Sequence, residues 1–267
     1  MMKNYLELSI KAAIAAGKSI MEVYRNREIE VELKKDRSPL TKADKLSNSV
    51  IHEFLQLTHL PIISEENKEI DYSVRQHWEK LWIVDPLDGT KEFVDRNGEF
   101  TVNIALIGQG KPLLGVIFIP VSRTLYYADV TQKKAYKVVL DENFTPLENW
   151  FLNALSLKPA KRKTRETIIV GSRSHMNKET EDYIGQLRER YGPIEFVSKG
   201  SSLKFCMVAE GGADFYPRFG PTMEWDTAAG QAICEAVGLS VISQETLQGL
   251  TYNKPNVLNG PFIVQRQ

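Results

Sequence analysis

The sequence predicts a layered α/β sandwich in two parts, an α+β part over residues 1–155 and an α/β part over residues 156–267. Three observations support this fold class. In the first 24 residues, apolar or small residues recur at every third or fourth position, which is typical of an amphipathic helix of about six turns. Residues 100–129 hold three β-like runs joined by turn residues, which predicts an antiparallel sheet. From residue 167 onward, short apolar strands alternate with helical patterns, which predicts a sheet covered by helices.

The remaining elements follow from local patterns. Alternation predicts a strand over residues 28–34, an apolar helical face follows Asp44, and an apolar strand over residues 61–64 ends at two glutamates. In the second part, strands 167–170, 195–198 and 213–216 are predicted to precede helices 177–190, 201–210 and 226–237. The polar, turn-rich stretch from about residue 140 to residue 165 is where we place the boundary between the two parts.

The composition is that of an ordinary globular protein. The chain has 267 residues with 34 Lys+Arg and 34 Asp+Glu, so the net charge does not favour a general nucleic-acid binder. Its two cysteines, Cys206 and Cys234, lie in apolar surroundings and are expected to be buried in a reducing compartment. No apolar run approaches the ~20 residues of a membrane span, and the N-terminus lacks the pattern of a signal peptide. A cytoplasmic location without an integral membrane segment is therefore expected.

The most informative segment is the apolar strand that ends at Asp85 and Asp88. Pro86 and Gly89 supply turn chemistry that bends the chain so that the two carboxylates can face one point. Two carboxylates held close together repel each other unless a cation lies between them. A divalent metal with oxygen ligands is one explanation, and an ordinary turn after a strand is the other.

Three further acids stand where strands or loops end. Asp44 and Asp226 each open a helical pattern, so each is either a metal-site residue or a helix N-cap. Glu65 is either a metal ligand or a solvent-exposed acid next to Glu66.

These segments together match a known pattern. The runs 85–90 and 225–230, preceded by 41–44 and 64–66, resemble the signatures of the inositol monophosphatase-like, lithium-sensitive, Mg²⁺-dependent phosphatases. The resemblance implies an αβαβα sandwich of the inositol monophosphatase/fructose-1,6-bisphosphatase type.

One branch of this family resembles the chain further. The runs 171–175, 200–206, 209–211 and 216–222 are similar to the bacterial 3′(2′),5′-bisphosphate nucleotidases. This similarity implies hydrolysis of the 3′-phosphate of adenosine 3′,5′-bisphosphate to AMP and phosphate, with a role in sulfonucleotide recycling. It also implies, for some relatives, a peripheral location on the cytoplasmic face of the inner membrane.

The resemblance implies a set of metal ligands. Glu65, Asp85 and the backbone carbonyl of Leu87 would hold a first Mg²⁺, and Asp85 would bridge to a second one held with Asp88 and Asp226. Two or three ions are expected, with Li⁺ as an inhibitor. Mg²⁺ keeps several waters in its octahedral shell, so a few protein ligands per ion suffice.

The resemblance also implies catalytic and substrate residues. Thr90 and Asp44 would orient and deprotonate the attacking water, with Asp44 acting through the Thr90 hydroxyl because a lone carboxylate of pKa ~3.9 is a poor base. The residues expected to contact substrate are Glu65, Leu87, Asp88, Gly89, Thr90, Ser172, Arg173, Ser174, His175, Lys199, Gly200, Ser201, Ser202, Lys204, Arg218 and Asp226. For the cations among them, the alternative is an ordinary surface charge.

Two other functions are compatible with the sequence. One is a broad inositol- or sugar-phosphate monophosphatase of the same superfamily, and the other is a nucleotide-binding module without turnover. The expected partner is a small-molecule nucleoside bisphosphate rather than a nucleic acid, and both a monomer and a dimer are compatible with the sequence.

Overall fold

The computed structural model describes residues 2–26, 31–33, 39–144, 154–159, 166–172 and 176–266. The helices are α1 Met2–Tyr24, α2 Lys42–Leu55, α3 Tyr72–Arg75, α4 Thr90–Val94, α5 Lys178–Tyr191, α6 Leu203–Ala209 and α7 Glu224–Ala236. The strands of the first half are β1 Val31–Leu33, β2 Pro39–Thr41, β3 Ile62–Ser64, β4 Lys80–Asp88, β5 Thr101–Gly108, β6 Lys111–Ile119, β7 Thr124–Asp129, β8 Lys134–Val139 and β9 Leu155–Ser156. Those of the second half are β10 Thr167–Gly171, β11 Ile194–Ser198, β12 Phe215–Arg218, β13 Thr222–Met223, β14 Leu239–Ser243, β15 Leu258–Asn259 and β16 Phe262–Arg266.

The first half forms a seven-stranded sheet in the order β3-β4-β5-β6-β7-β8-β9. β3 pairs with β4 in parallel, and the remaining neighbours are antiparallel. Helices α1 and α2 cover one face of this sheet and share an apolar cluster with it. Gly17 allows this close approach, because a Cβ there would lie 2.3 Å from the ring of Phe118.

The second half forms a five-stranded sheet in the order β11-β10-β12-β16-β14. β10 pairs in parallel with β11 and β12, whereas β16 is antiparallel to both of its neighbours. Helix α5 packs on the outer face, and α6 and α7 lie between the two sheets in one shared apolar cluster. The layers therefore run α, β, α, β, α, which confirms the predicted sandwich.

The region around the predicted boundary differs from expectation in one respect. β8 was not predicted and ends just before residues 140–165, the stretch predicted to be polar and turn-rich, whereas β9 lies inside that stretch. Together the two strands extend the first sheet. The ring of Tyr136 on β8 stacks on the ring of Tyr127 on β7, with 5.2 Å between the ring centroids. Local composition carries little signal for such a cross-strand contact. The division at residues 155/156 remains a prediction, since α7 belongs to the second half by sequence but packs against the first sheet.

Two smaller expectations can be compared directly. Cys206 and Cys234 are buried free thiols, as expected. The strand predicted over residues 28–34 overlaps β1, and residues 27–30 and 34–38 lie outside the described part of the chain. Within the described ranges, no helix combines the length and the hydrophobicity needed to cross a bilayer.

Candidate active site

Strand β4 ends in a β-bulge that turns two carboxylates to the same side. Asp85 lies opposite Asn103 and Asp88 lies opposite Thr101, so β4 gains one residue relative to β5. Side chains alternate between the two faces of a strand, so residues three apart would ordinarily point to opposite faces. Because the bulge adds one residue to β4, the side chains of Asp85 and Asp88 point to the same side.

Two hydrogen bonds hold the bulge in place. Ser47 on α2 donates its hydroxyl to the Pro86 carbonyl at 2.6 Å, and the Leu87 amide donates to Asp85 Oδ1 at 3.0 Å. The Leu87 side chain is buried in the apolar cluster under α2, so its backbone carbonyl is the part that faces the Thr90 hydroxyl, at 3.4 Å. The loop is thus ordered before any ligand binds.

Glu65 and Asp226 approach this loop from neighbouring elements. The Glu65 amide donates to the Val84 carbonyl at 3.2 Å, and because β3 and β4 are parallel, both strands end at the same edge of the sheet. Asp226 lies in the first turn of α7, where its Oδ2 accepts a hydrogen bond of 2.7 Å from the Met223 amide. This bond satisfies a helix N-terminus and also fixes the carboxylate.

The three aspartates form one cluster. Each of Asp85, Asp88 and Asp226 offers a carboxylate oxygen within 4.8 Å of the other two. Burial, followed by the charges of Glu65, Asp88 and Asp226, raises the pKa of Asp85 well above its usual range. Burial, followed by the charge of Asp88, raises the pKa of Asp226 to about 8. The protein therefore holds like charges together at a cost in free energy.

A divalent cation fits this arrangement. The donors are all oxygens, which suits Mg²⁺, and a dication between them would offset the repulsion that raises these pKa values. Glu65 is not part of the group within 4.8 Å, but its charge acts on Asp85 and it lines the same cavity.

Asp44 makes two kinds of contact at once. Its Oδ2 accepts from the Thr41 amide at 2.7 Å and from the Thr41 hydroxyl at 2.6 Å, which caps α2. Its Oδ1 accepts a hydrogen bond of 3.2 Å from the Thr90 hydroxyl. The helix-capping function and the contact with Thr90 are therefore carried by different oxygens of one buried carboxylate.

A cavity of about 420 Å³ opens in front of the aspartates. Its lining has an acidic side, with Asp88 and Asp226, and a side of hydroxyls and cations, with Ser201, Lys204, Arg218 and Thr222. Three buried polar atoms of that second side, Ser201 Oγ, Arg218 Nε and Thr222 Oγ1, have no hydrogen-bond partner within the described part of the chain. Buried polar groups are nearly always paired, so these atoms indicate a polar ligand in the cavity.

Lys204 brings a buried cation to the same side. Its Nζ donates to the Ser201 carbonyl at 2.5 Å and to the Lys199 carbonyl at 3.2 Å, and it lies 5.5 Å from the centre of the Tyr216 ring. Burial lowers the pKa of Lys204 to about 8, although the charge of Asp88 acts in the opposite direction. An anionic ligand beside it would favour the charged ammonium.

Comparison with known families assigns the chain. The model of the inositol monophosphatase family matches residues 1–266. The chain belongs to the inositol monophosphatase family. The resemblance expected from the sequence is confirmed.

Several members of this family are similar over most of their length. The 3′(2′),5′-bisphosphate nucleotidase CysQ of Salmonella typhimurium is 48% identical over 239 residues, which cover 88% of this chain and 89% of that protein. The CysQ of Escherichia coli K12 is 47% identical over 229 residues, 85% of each chain. The crystal structure of CysQ from Bacteroides thetaiotaomicron has a TM-score of 0.88 at 45% identity and covers 98% of this chain and 97% of its own.

Most of the residues predicted to bind substrate line the cavity, and some do not. Those that line the cavity are Glu65, Asp88, Gly89, Thr90, Ser172, Gly200, Ser201, Ser202, Lys204, Arg218 and Asp226. Lys199 does not line it, because its ammonium pairs with Glu99 at 2.8 Å. The Ser202 hydroxyl is bonded to Asp88 at 2.8 Å. Arg173, Ser174 and His175 lie outside the described residues.

Sequence reasoning missed three residues that the fold brings to this site. Glu99 accepts from the Gly200 amide at 2.8 Å as well as from Lys199, and so ties the second-half loop to the first half. Asn103 donates to Asp88 at 3.2 Å, and Thr222 lines the cavity. A polar asparagine inside the apolar run of β5 was the one signal available for Asn103, since a central strand rarely buries an amide without a partner.

Proposed function

We propose that the protein hydrolyses the 3′-phosphate of adenosine 3′,5′-bisphosphate to AMP and phosphate in a Mg²⁺-dependent reaction. The reaction would recycle the nucleotide left by sulfonucleotide metabolism in the cytoplasm. The observation that carries the proposal is the single cavity that joins the aspartate cluster to the unpartnered donors of the second half. The 45–48% identity to proteins named CysQ supports the choice of substrate.

The aspartate side of the cavity would hold the metal. Asp85, Asp88 and Asp226 are the proposed ligands, with Glu65 and the Leu87 carbonyl completing the set. Bound Mg²⁺ supplies charge stabilisation to the phosphoryl group and makes a water more acidic. Because the acids are fixed by hydrogen bonds before ligand binding, little reorganisation is required of them.

The proton of the attacking water would leave through Thr90. The Thr90 hydroxyl donates to Asp44 Oδ1, so its oxygen is oriented to accept a proton from a water in the cavity. Asp44 Oδ2 is occupied by Thr41, which leaves Oδ1 as the acceptor at the end of this relay. Water adds to phosphorus, the bond to the 3′-oxygen breaks, and the nucleoside oxygen takes up a proton.

The second-half side would bind the remainder of the nucleotide. The second phosphate of a bisphosphate needs cations other than the metals, and Lys204 and Arg218 both line the cavity. Ser201 and Thr222 offer hydroxyls for which the described residues supply no partner. A substrate with one phosphate and no second anion would leave these groups unsatisfied, which discriminates against it.

The test is a substrate panel on the purified protein. Adenosine 3′,5′-bisphosphate, inositol 1-phosphate and fructose 1,6-bisphosphate are each incubated with Mg²⁺, and phosphate and nucleotide products are quantified. We expect kcat/KM for adenosine 3′,5′-bisphosphate to exceed that for the other two substrates by about 100-fold. The product should be 5′-AMP, and Li⁺ should inhibit the reaction.

Two outcomes would overturn the proposal. A preference for inositol 1-phosphate would favour the broad monophosphatase, and no phosphate release from any substrate would favour the non-catalytic nucleotide-binding module. Asp85→Ala, checked by circular dichroism for retained folding, is the negative control because it removes the central carboxylate.

A further inference from the structure

Asp88 is held by a buried polar network that crosses between the two halves of the fold. Ser202 Oγ lies 2.8 Å from Asp88 Oδ2 and 3.0 Å from the Asp226 carbonyl oxygen. Asn103 Nδ2 lies 3.2 Å from the same Asp88 oxygen and 2.9 Å from Ser202 Oγ. Asn103 is 1% exposed and Ser202 is 2% exposed, so these bonds form away from water, where hydrogen bonds are strong.

The protons of this network can be assigned from chemistry. The Thr101 hydroxyl donates to Asn103 Oδ1 at 2.9 Å, which directs the amide nitrogen toward Asp88. The two N–H groups of that nitrogen then serve Asp88 Oδ2 and Ser202 Oγ. The Ser202 hydroxyl accepts one hydrogen bond from Asn103. It donates its own hydrogen to Asp88 or to the Asp226 carbonyl, both of which are acceptors only.

The network makes hydrogen bonds to only one of the two carboxylate oxygens of Asp88. Both donors reach Oδ2, and none of the hydrogen bonds among the described residues reaches Oδ1. The carboxylate therefore has a fixed rotation in which the protein occupies one oxygen and the second remains for a cation. Partners of this kind orient metal ligands and affect metal affinity about 10- to 100-fold.

We propose that Asn103 and Ser202 are a coupled positioning pair that presents one oxygen of Asp88 to the metal. Because Ser202 precedes α6 and Asn103 lies on β5, the pair also makes metal binding depend on the docking of the second half against the first sheet. Ser202 thereby acts through a metal ligand instead of contacting the substrate. The inference rests on the metal site of the proposed function and is independent of the nucleotide.

The experiment measures metal binding without turnover. Mn²⁺ is titrated into the wild type, Ser202→Ala, Asn103→Ala and the double variant, and free Mn²⁺ is followed by electron paramagnetic resonance. We expect each single variant to raise the Mn²⁺ Kd about tenfold. The double variant should be about as weak as one single variant, because the two residues act as one unit.

The matched control is Ser9→Ala. Ser9 is a fully buried serine on α1 whose hydroxyl donates to the Leu6 carbonyl at 2.9 Å, outside the site. Both serine variants should lower the melting temperature in EDTA, whereas Ser202→Ala alone should lose metal affinity. In turnover assays, saturating Mg²⁺ should restore kcat to Ser202→Ala.

Three results would overturn the inference. They are an unchanged Mn²⁺ Kd in Ser202→Ala, single effects that multiply in the double variant, and a raised nucleotide KM that excess Mg²⁺ does not correct. If Asn103→Ala does not fold, Asn103→Ser replaces it, since that side chain is shorter but polar. Weakened Mn²⁺ binding in a protein that hydrolyses no nucleotide would refute the proposed function and leave this inference intact.

Discussion

The two sides of the cavity differ in how their polar atoms are satisfied. At the side proposed to hold the metal and activate water, Asp44, Asp85, Asp88 and Asp226 each accept hydrogen bonds from named donors in the protein. At the side proposed to bind substrate, buried polar atoms of Ser201, Arg218 and Thr222 have no hydrogen-bond partner among the described residues.

This difference separates two ways of building a site. The acids are oriented in advance, so metal binding relieves repulsion without moving them. The donors of the second half are satisfied only when a polar ligand arrives, so their cost is recovered in binding energy. Removing a hydroxyl that is hydrogen-bonded to one of the acids should therefore destabilise the protein, whereas removing an unpartnered hydroxyl on the other side should stabilise it.

The largest expected effect comes from removing the central charge of the metal side. Asp85→Asn keeps the Oδ1 acceptor for the Leu87 amide but removes one charge from the cluster. We expect activity to fall by ~10³-fold or more because a proposed metal ligand loses its charge. The metal-free protein should become more stable, on the order of 1 kcal/mol, since burial and three neighbouring acids raise the pKa of Asp85.

Phosphate release and thermal unfolding in EDTA measure the two effects together. A metal-free Asp85→Asn protein that unfolds at a lower temperature than the wild type would show that the acids do not repel each other as inferred. Circular dichroism establishes that the fold is retained.

A smaller loss is expected at the proton relay. Thr90→Ala should lower kcat about 10²- to 10³-fold, whereas Thr90→Ser, which keeps the hydroxyl facing Asp44, should retain most of it. Steady-state kinetics at saturating Mg²⁺ is the measurement. Equal activity in the two variants would remove Thr90 from the relay.

The stability of the metal-free protein should depend on pH through Asp226. Its pKa is raised from an ordinary 3.8 to about 8, so the stability it contributes is present below about pH 4 and is lost as pH rises through 8. Between these limits the loss approaches about 1.4 kcal/mol per pH unit.

Mg²⁺ should offset this loss. The increase in melting temperature on adding Mg²⁺ should therefore grow from pH 5 to pH 9, as followed by differential scanning fluorimetry. Asp226→Asn should flatten the metal-free profile, and a profile as steep as that of the wild type would assign the titration to another group.

The smallest effects come from a matched pair of threonine substitutions, one at a cavity residue and one beside Asp44. Thr222→Val removes an unpartnered hydroxyl and should stabilise the free protein by up to about 1 kcal/mol while raising the KM for the bisphosphate. Thr41→Val removes a hydroxyl bonded to Asp44 and should destabilise the protein by about 1–2 kcal/mol. Urea denaturation of both variants measures the contrast, and the same sign for both would contradict the comparison.

Much of the architecture was predictable from local patterns. The long α1, the strand ending at Asp85 and the alternating elements of the second half have periodicities that sequence alone reveals. The strand β8 was missed because its stabilisation comes from cross-strand contacts such as Tyr136 on Tyr127. The dual role of Asp44 was also invisible, since capping and metal-site chemistry favour the same residue at a helix start.

The sequence by itself determined which acids are available, their order along the chain and the family to which the chain belongs. The tertiary structure alone decided that a bulge turns Asp85 and Asp88 to one side and that Glu99 pairs with Lys199. It also decided that Ser202 forms a hydrogen bond with Asp88, which is 114 positions away in the sequence. Such contacts depend on how layers pack, and residues so far apart leave no periodic trace in the chain.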